Sequence, residues 1–162
     1  MRRIHFVIDS DLADVSLVAV AVNSVCVHLG FSNVEASEVE LCVAEAVTNS
    51  IRHSYHGRPG HNVSISLSIQ AGQMHIDISD TGASMSNDEV ERLVNGAQAA
   101  NLETIDIASL VEGGRGLQII RDLMDEVAYI REPDVNRLHL IRRMPVAPEH
   151  GKGVRPKGKG LD

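Results

Sequence analysis

The chain has 162 residues, of which 43% are hydrophobic and 23% charged, a composition typical of one globular domain rather than of a disordered chain. It contains no Trp and only two Tyr and two Phe, which excludes binding of single-stranded nucleic acid by aromatic stacking and predicts an aliphatic core. The net charge is −7, and because residues 151–162 carry +3, residues 1–150 hold −10. An acidic body disfavours direct nucleic-acid binding and favours a basic protein partner.

Two cysteines, Cys26 and Cys42, lie within apolar helical patterns and have no CxxC spacing. We therefore expect reduced thiols buried in the core. The sequence contains no run of about 18 apolar residues, and residues 1–3 lead directly into a strand pattern rather than into a signal region. These features predict a soluble, cytoplasmic protein that does not bind a membrane.

The first third of the chain predicts one strand followed by two helices. Residues 3–8 alternate between side chains of different polarity, as a strand with one buried face does. Apolar residues at helical spacing then predict a helix over about 11–29 that ends at Gly30. A second helix is predicted from Ser32 to about Tyr55, before a segment rich in glycine and proline.

The rest of the chain predicts further strands and helices around one long loop. The strands are predicted at 63–69, 74–78, 127–131 and 137–142, and the helices at 87–95 and 116–124. The loop at about 96–112 is long for a connection in a small domain, so we expect it to be a lid over a binding site. Residues 145–162 have few apolar side chains and predict a disordered basic tail, which leaves residues 1–144 as the ordered domain.

The order of these elements indicates the fold class. Helices come in pairs and do not alternate with every strand, which argues for helices layered on one face of the sheet. The sequence predicts an α+β two-layer sandwich, in which the helices cover one face of a mixed β-sheet.

One candidate site lies on the second predicted helix. Glu45 and Asn49 are four residues apart and share one helix face, with His53 one turn further on. A carboxylate and an amide oxygen stacked in this way can hold a hard divalent cation or orient a nucleophile. The alternative is an ordinary polar pair on a solvated helix face.

A second candidate site is the segment Asp80-Thr81-Gly82, which follows a predicted strand. A carboxylate at a strand end can accept a hydrogen bond from a ligand amino group, and glycine permits a tight turn beside it. The alternative is a local turn in which the aspartate side chain caps the next element.

The third candidate site is the segment Gly113-Gly114-Arg115-Gly116, which leads into a helix that begins near Leu117. Glycines allow backbone N–H groups to approach an anion, the start of a helix adds partial positive charge, and Arg115 adds donors for phosphate oxygens. The pattern is neither a Walker motif nor a dinucleotide fingerprint.

Taken in this order and at this spacing, the three segments resemble the GHKL (Bergerat) ATPase fold shared by gyrase, Hsp90 chaperones, histidine kinases and MutL. The resemblance covers about residues 4–144. Within that superfamily, EAVTNSIRHSY (45–55) and EGGRGLQIIRDLMDEV (112–127) resemble the bacterial anti-sigma-factor serine/threonine kinases of stress response and sporulation.

The resemblance implies a role for each site residue. Glu45 would be the general base, Asn49 would ligate Mg²⁺, and Asp80 would accept a hydrogen bond from the adenine amino group of ATP. The other residues implied to contact the nucleotide are His53, Gly82, Gly113, Gly114, Arg115, Gly116 and Leu117.

The resemblance also implies an activity and partners. The chain would use ATP and Mg²⁺ to phosphorylate a serine or threonine of a small anti-sigma-factor antagonist, and it would alternately bind and inhibit a sigma factor as a homodimer. The main alternative is a non-catalytic nucleotide-dependent switch, which would not need Glu45. A histidine kinase module or a structural domain with coincidental motifs are the remaining alternatives.

Two departures from the family pattern concern the adenine end of the expected site. The second glycine of the family's Asp-x-Gly-x-Gly motif is replaced by Ser84, and Asn136-Arg137 stands where many members have Gly-Thr. We therefore do not assume the contact by which this threonine helps to fix adenine in those members. The histidines other than His53 show no metal-ligand spacing, and we expect them at surface or strand positions.

Overall fold

The computed structural model describes residues 2–95 and 115–145, with the side chains of Asn95 and Arg115 outside the described part. The predicted lid at 96–112 and nearly all of the predicted tail at 145–162 therefore lie outside it. In chain order the elements are β1 (Arg2–Asp9), α1 (Leu12–His28), α2 (Asn33–Asn49), a π-helical turn (Ser50–Ser54), β2 (Asn62–Gln70), β3 (Gln73–Asp80), α3 (Asn87–Asn95), α4 (Arg115–Leu123), β4 (Glu126–Arg131) and β5 (Asn136–Arg143).

The five strands form one sheet in the order β1-β2-β3-β5-β4. The predicted two-layer α+β arrangement is confirmed, but the prediction of a mixed sheet is wrong because every described pairing is antiparallel. The reason lies in the paired helices. Two consecutive helices, α1 and α2, return the chain to the end of the sheet that it left, so β2 runs antiparallel beside β1.

The core lies between the helices and one face of the sheet and is aliphatic, as predicted. Fully buried side chains from both layers include Val22, Val39, Val43, Ile65, Ile76 and Leu140. Cys26 and Cys42 are free thiols within this core. Burial raises the pKa of Cys26 to about 11 and that of Cys42 to about 12, so both thiols stay protonated near neutral pH.

Helix α2 carries one candidate site, and both of its ends are defined by local chemistry. It begins with a capping box in which the Ser32 side chain and the Glu35 side chain each bind the other's backbone N–H. The predicted continuous helix to Tyr55 is partly wrong, since the α-helix ends at Asn49 and a π-helical turn follows. In that turn the Tyr55 N–H donates to the Ser50 carbonyl at 3.2 Å, one residue further back than in an α-helix.

Within residues 2–95 and 115–145, no helix combines the length and the apolar character that a membrane crossing requires.

Candidate functional site

A cavity of about 250 Å³ lies between the end of α2 and the inner face of the sheet. The π-helical turn and the segment after β3 close its sides. Residues from six elements line it, including Asn49, His53, Asp80, Tyr129 and Leu138. The cavity therefore contains one of the predicted site residues from α2 and one from the end of β3.

Asp80 lies at one end of this cavity and is only 6% exposed. Its Oδ1 accepts hydrogen bonds from the Gly82 N–H at 3.0 Å and from Asn136 Nδ2 at 2.9 Å. Its Oδ2 accepts a hydrogen bond from the Ser54 hydroxyl at 3.0 Å. Three donors thus hold the carboxylate in one orientation, and an ionised carboxylate has about four acceptor positions, so it can accept a further bond from a ligand amino group.

Gly82 is required by a close approach rather than by an unusual backbone angle. A Cβ on residue 82 would overlap the carbonyl group of Ser54. The same Ser54 carbonyl accepts a hydrogen bond from the Ala83 N–H at 2.8 Å. The π-helical turn therefore matters for the site, because it brings Ser54 against the segment that follows Asp80 with both its side chain and its backbone.

Asn136 was noted from the sequence only as a departure from the family pattern, with no contact in the site assigned to it. It pairs with Asp80 across β3 and β5, is 4% exposed, and also donates from Nδ2 to the Gly82 carbonyl at 3.0 Å. Its Oδ1 accepts a hydrogen bond from the Ser84 hydroxyl at 2.6 Å. The two departures from the family pattern, Ser84 and Asn136, thus bind each other, and Asn136 makes a direct contact with the aspartate.

We refer to Asp80, Ser54, Gly82, Ser84 and Asn136 as the Asp80 network. Asn136 meets Asp80 because of the antiparallel register, which places the first residue of β5 opposite the last residue of β3. No pattern in the sequence alone reports that register, since the two residues are far apart along the chain.

Two tyrosines on either side of the Asp80 network fix the neighbouring backbone. The Thr81 N–H donates to the buried Tyr55 hydroxyl at 2.9 Å, and that hydroxyl donates to the Asn62 carbonyl at 2.8 Å. The Met85 N–H donates to the Tyr129 hydroxyl at 3.0 Å. Burial raises the pKa of Tyr129 above its ordinary value, so its hydroxyl stays neutral at the cavity wall.

Helix α3 begins beside the cavity at a second capping box. The Ser86 N–H and hydroxyl both donate to Glu89 Oε2 at 2.7 Å, and the Glu89 N–H donates to the Ser86 hydroxyl at 3.3 Å. The hydrogen bond from the Ser86 backbone, followed by that from its hydroxyl, lowers the pKa of Glu89 below its ordinary value. The carboxylate is therefore charged at neutral pH and favours the start of the helix.

Glu45 and Asn49 meet the start of α4, and we call Glu45, Asn49 and Gly116 the Glu45 cluster. A Cβ on residue 116 would overlap Glu45 Oε2 and would lie 3.4 Å from Asn49 Nδ2. Glycine is thus the residue that lets the first turn of α4 pack over these two side chains. The partial positive charge at the start of α4 attracts the carboxylate of Glu45 and also suits an anionic ligand.

The side chain of Asn49 fits the predicted magnesium ligand. It is 8% exposed, and its Nδ2 is buried without a hydrogen-bond partner among the described residues. Such an unpaired buried amide is costly, and a half turn of the amide presents its oxygen to the same space. An amide oxygen is a ligand that Mg²⁺ accepts, usually together with water and substrate phosphates.

The residues that the structure describes do not by themselves complete a metal site at Asn49. In the part of the chain that the structure describes, no three His, Cys, Asp or Glu side chains are grouped as a metal site.

The structure brings together most of the predicted site residues that it describes. Glu45, Asn49 and Gly116 meet at one side, and Asp80 and Gly82 lie at the other. His53 is exposed on the π-helical turn and lines the cavity. Leu117 is half-buried against the core. Gly113, Gly114 and the side chain of Arg115 lie outside the described residues.

Comparison with known proteins identifies the family of the chain. The family model of the histidine kinase-like ATPase domain matches residues 8–142. An anti-sigma F factor of Oceanobacillus iheyensis is 34% identical over 115 residues, which cover 71% of this chain and 73% of the relative. A serine-protein kinase RsbW of Staphylococcus aureus is 33% identical over 124 residues, which cover 75% and 74%.

A solved structure shares the fold. The crystal structure of the RsbU and RsbW domains of Rv1364c from Mycobacterium tuberculosis superposes with a TM-score of 0.59 at 12% identity, over 88% of this chain and 32% of that one. The region that the family model matches extends from β1 to β5, so it includes both the Asp80 network and the Glu45 cluster. The chain belongs to the histidine kinase-like ATPase domain family, together with anti-sigma F factors and the serine-protein kinases named RsbW.

Proposed function

We propose that this protein is an ATP-dependent protein serine/threonine kinase that phosphorylates a small anti-sigma-factor antagonist and alternately binds a sigma factor. The observation that carries the proposal is the Glu45 cluster. A carboxylate and an unpaired buried amide meet under the glycine start of a helix, beside a cavity whose other end holds a fixed carboxylate. The names of the relatives indicate a protein serine as substrate and a sigma factor as partner, and the sequence resemblance implies that the serine belongs to a small antagonist protein.

Each end of the cavity would bind one part of the nucleotide. Asp80 would accept a hydrogen bond from the adenine amino group, while Tyr129 and Leu138 line the space beside it. Asn49 would ligate Mg²⁺, and the N–H groups at the start of α4 would bind the phosphates. When bound, ATP and Mg²⁺ supply the γ-phosphoryl group and neutralise the charge that develops during its transfer.

Glu45 would act on the protein substrate. Its carboxylate would accept the proton of the substrate serine hydroxyl, so that the serine oxygen carries the phosphoryl group in place of that proton, with ADP as the second product. Positioning and charge neutralisation supply most of the rate in phosphoryl transfer. The packing of Gly116 over Glu45 favours a fixed position for this base.

A phosphotransfer assay with a matched control tests this role. The purified chain is incubated with labelled ATP, Mg²⁺ and an antagonist protein from the same organism. We expect Glu45→Gln to lower the rate by about 100-fold to 10,000-fold, because the proton acceptor is lost, while ATP affinity is retained. Glu40→Gln is the control, since Glu40 lies on the same helix but accepts a hydrogen bond from Asn23 at 2.9 Å.

The outcomes of this assay separate the alternatives. Equal rates for the wild type and Glu45→Gln would contradict the role of Glu45. Binding of ATP and of the antagonist with no transfer by the wild type would favour the non-catalytic switch. We expect Glu40→Gln to behave as the wild type does.

We also propose that the protein is a cytoplasmic homodimer that binds the sigma factor across its two copies. The observation in favour of self-association is an exposed apolar face on α1, where Leu17, Val20 and Val27 are 69%, 56% and 45% exposed. Exposed apolar patches of this kind mark association surfaces. Sedimentation of the wild type should give a dimer and that of Leu17→Lys a monomer, whereas a wild-type monomer would contradict the proposal.

A further inference from the structure

The face of the sheet that the helices leave open carries a polar cluster that the kinase activity does not use. Serines 64, 66 and 68 of β2 lie on this face beside residues of β3. His75 and Asp77 of β3 lie next to them, and His139 of β5 is paired with Asp77. This cluster is on the opposite side of the sheet from the cavity.

Two histidine ring nitrogens in this cluster face each other. His75 Nδ1 and His139 Nε2 are 3.4 Å apart, and their ring centroids are 5.4 Å apart with the planes tilted by 35°. The histidines are diagonal neighbours on adjacent strands, since His75 pairs with Ile141 and His139 with Asp77. Their separation along the sequence explains why spacing did not predict the pair.

Asp77 fixes the orientation of one of the two rings. Its Oδ1 lies 2.6 Å from His139 Nδ1, and because a carboxylate can only accept, that nitrogen donates its proton. The neutral ring of His139 therefore has its lone pair on Nε2, the nitrogen that faces His75. A ligand imidazole that donates its other N–H to a carboxylate is the usual arrangement at metal sites in proteins.

We propose that His75 Nδ1 and His139 Nε2 chelate a divalent late transition metal of the zinc class on the open face of the sheet. Nitrogen ligands at about 2.0–2.1 Å in a tetrahedral arrangement lie about 3.3–3.4 Å from each other, which matches the observed separation. The proton that His75 Nδ1 donates to His139 Nε2 would move to Nε2 of His75. This leaves a lone pair on His75 Nδ1 for the metal.

The remaining coordination positions would be filled by water. His139 and Asp77 are 26% and 31% exposed, so the site is accessible to an ion from solvent. Asp77 would be a positioning residue, since it binds His139 and not the metal. The site differs from the predicted magnesium site in its ligands, because imidazole nitrogen favours zinc, copper and nickel over magnesium.

Calorimetric titration with Zn²⁺ alone tests the proposal on the untagged, nucleotide-free full chain. We expect the wild type to bind one zinc ion at this site, and Asp77→Asn to weaken its affinity by about tenfold or more, because the ring orientation is lost. His75→Gln and His139→Gln should each weaken it further. His5→Gln is the matched control, since His5 lies on the same open face in β1, opposite Ser66, and should bind zinc as the wild type does.

A second measurement needs no variant and is independent of folding changes. Zinc should shift the NMR signals of the ring nitrogens of His75 and His139 in the wild-type protein. Equal zinc affinity in the wild type and both glutamine variants would overturn the proposal, as would zinc-dependent shifts confined to other histidines. Neither result would bear on the kinase activity, because the cavity is on the other face of the sheet.

Discussion

The two ends of the cavity differ in how far the protein itself satisfies their polar groups. Asp80 has three hydrogen-bond donors from its own chain, whereas Asn49 has a buried amide nitrogen without a partner among the described residues. The first end is complete before any ligand arrives. At the second end, burying the unpaired amide nitrogen of Asn49 costs free energy, and a ligand that binds there removes this cost.

This difference suits the two parts of a nucleotide. A base is recognised by a few directed hydrogen bonds, and a rigid acceptor such as Asp80 gives selectivity at low entropic cost. The phosphates bring their own charge and a hydrated metal ion, so protein groups that are still unpaired before binding suit them better. On the proposed function, the fold itself builds the adenine end of the site, and the ligand completes the phosphate end.

A single methyl group added at residue 116 should have a larger effect than any other substitution below, and the effect is on the phosphotransfer rate. Gly116→Ala places a Cβ against Glu45 Oε2, and a displacement of about 1 Å in a catalytic group can lower a rate by about 100-fold. Phosphotransfer rates measure the effect. Gln118→Ala, an exposed change on the same helix, should leave the rate unchanged, and a normal rate for Gly116→Ala would contradict the packing.

At the adenine end the predicted effect is on stability. Asn136→Ala removes the two hydrogen bonds that Asn136 donates to Asp80 and Gly82, and leaves the Asp80 network short of a donor. We expect chemical denaturation to show a loss of about 2 kcal/mol in the free energy of unfolding. Asn33→Ala is an exposed control that should change it by less than about 0.5 kcal/mol. Similar losses for both variants would show that the network is unimportant.

A substitution at Asn49 should raise the free energy of unfolding, whereas the one at Asn136 lowers it. Asn49→Leu replaces an unpaired buried amide with an apolar side chain of similar size, so we expect the free energy of unfolding to rise by about 1 kcal/mol. The same change should remove the effect of Mg²⁺ on ATP binding. A destabilised variant that still responds to Mg²⁺ would contradict the proposed division between the two ends.

The smallest expected effect concerns the capping box at the edge of the cavity. Glu89→Ala removes a carboxylate that binds Ser86, and we expect a loss of about 0.5 kcal/mol in the free energy of unfolding near pH 7. Because the pKa of Glu89 is lower in the folded protein, its contribution is present at neutral pH and is lost as the pH falls below the ordinary carboxyl range. The difference between wild type and variant should therefore disappear in acid.

Much of the fold was predictable because its signals are local. Alternation predicted the strands, and helical spacing placed Glu45 and Asn49 on one face. Asp80 was expected at the end of a strand, and it is the last residue of β3. The aliphatic core followed from composition. The antiparallel direction of every pairing was not predicted, although the two consecutive helices that set the direction of β2 against β1 were predicted.

Other features depend on contacts between distant parts of the chain. The contact of Asn136 with Asp80 depends on the register of β3 and β5, and the pairing of His75 with His139 depends on the same two strands. The π-helical turn arises where Ser54 must meet the segment after Asp80, which helix propensity does not report. These features were not predictable from periodicity, because each is decided by tertiary packing.

Calorimetry of ATP binding, with and without Mg²⁺, distinguishes the roles proposed for Asp80 and Asn49. We predict that Asp80→Asn abolishes ATP binding under both conditions, whereas Asn49→Leu removes only the additional affinity that Mg²⁺ gives the wild type. Binding of ATP by Asp80→Asn with wild-type affinity would contradict the account, and so would a wild-type chain that binds no ATP at all.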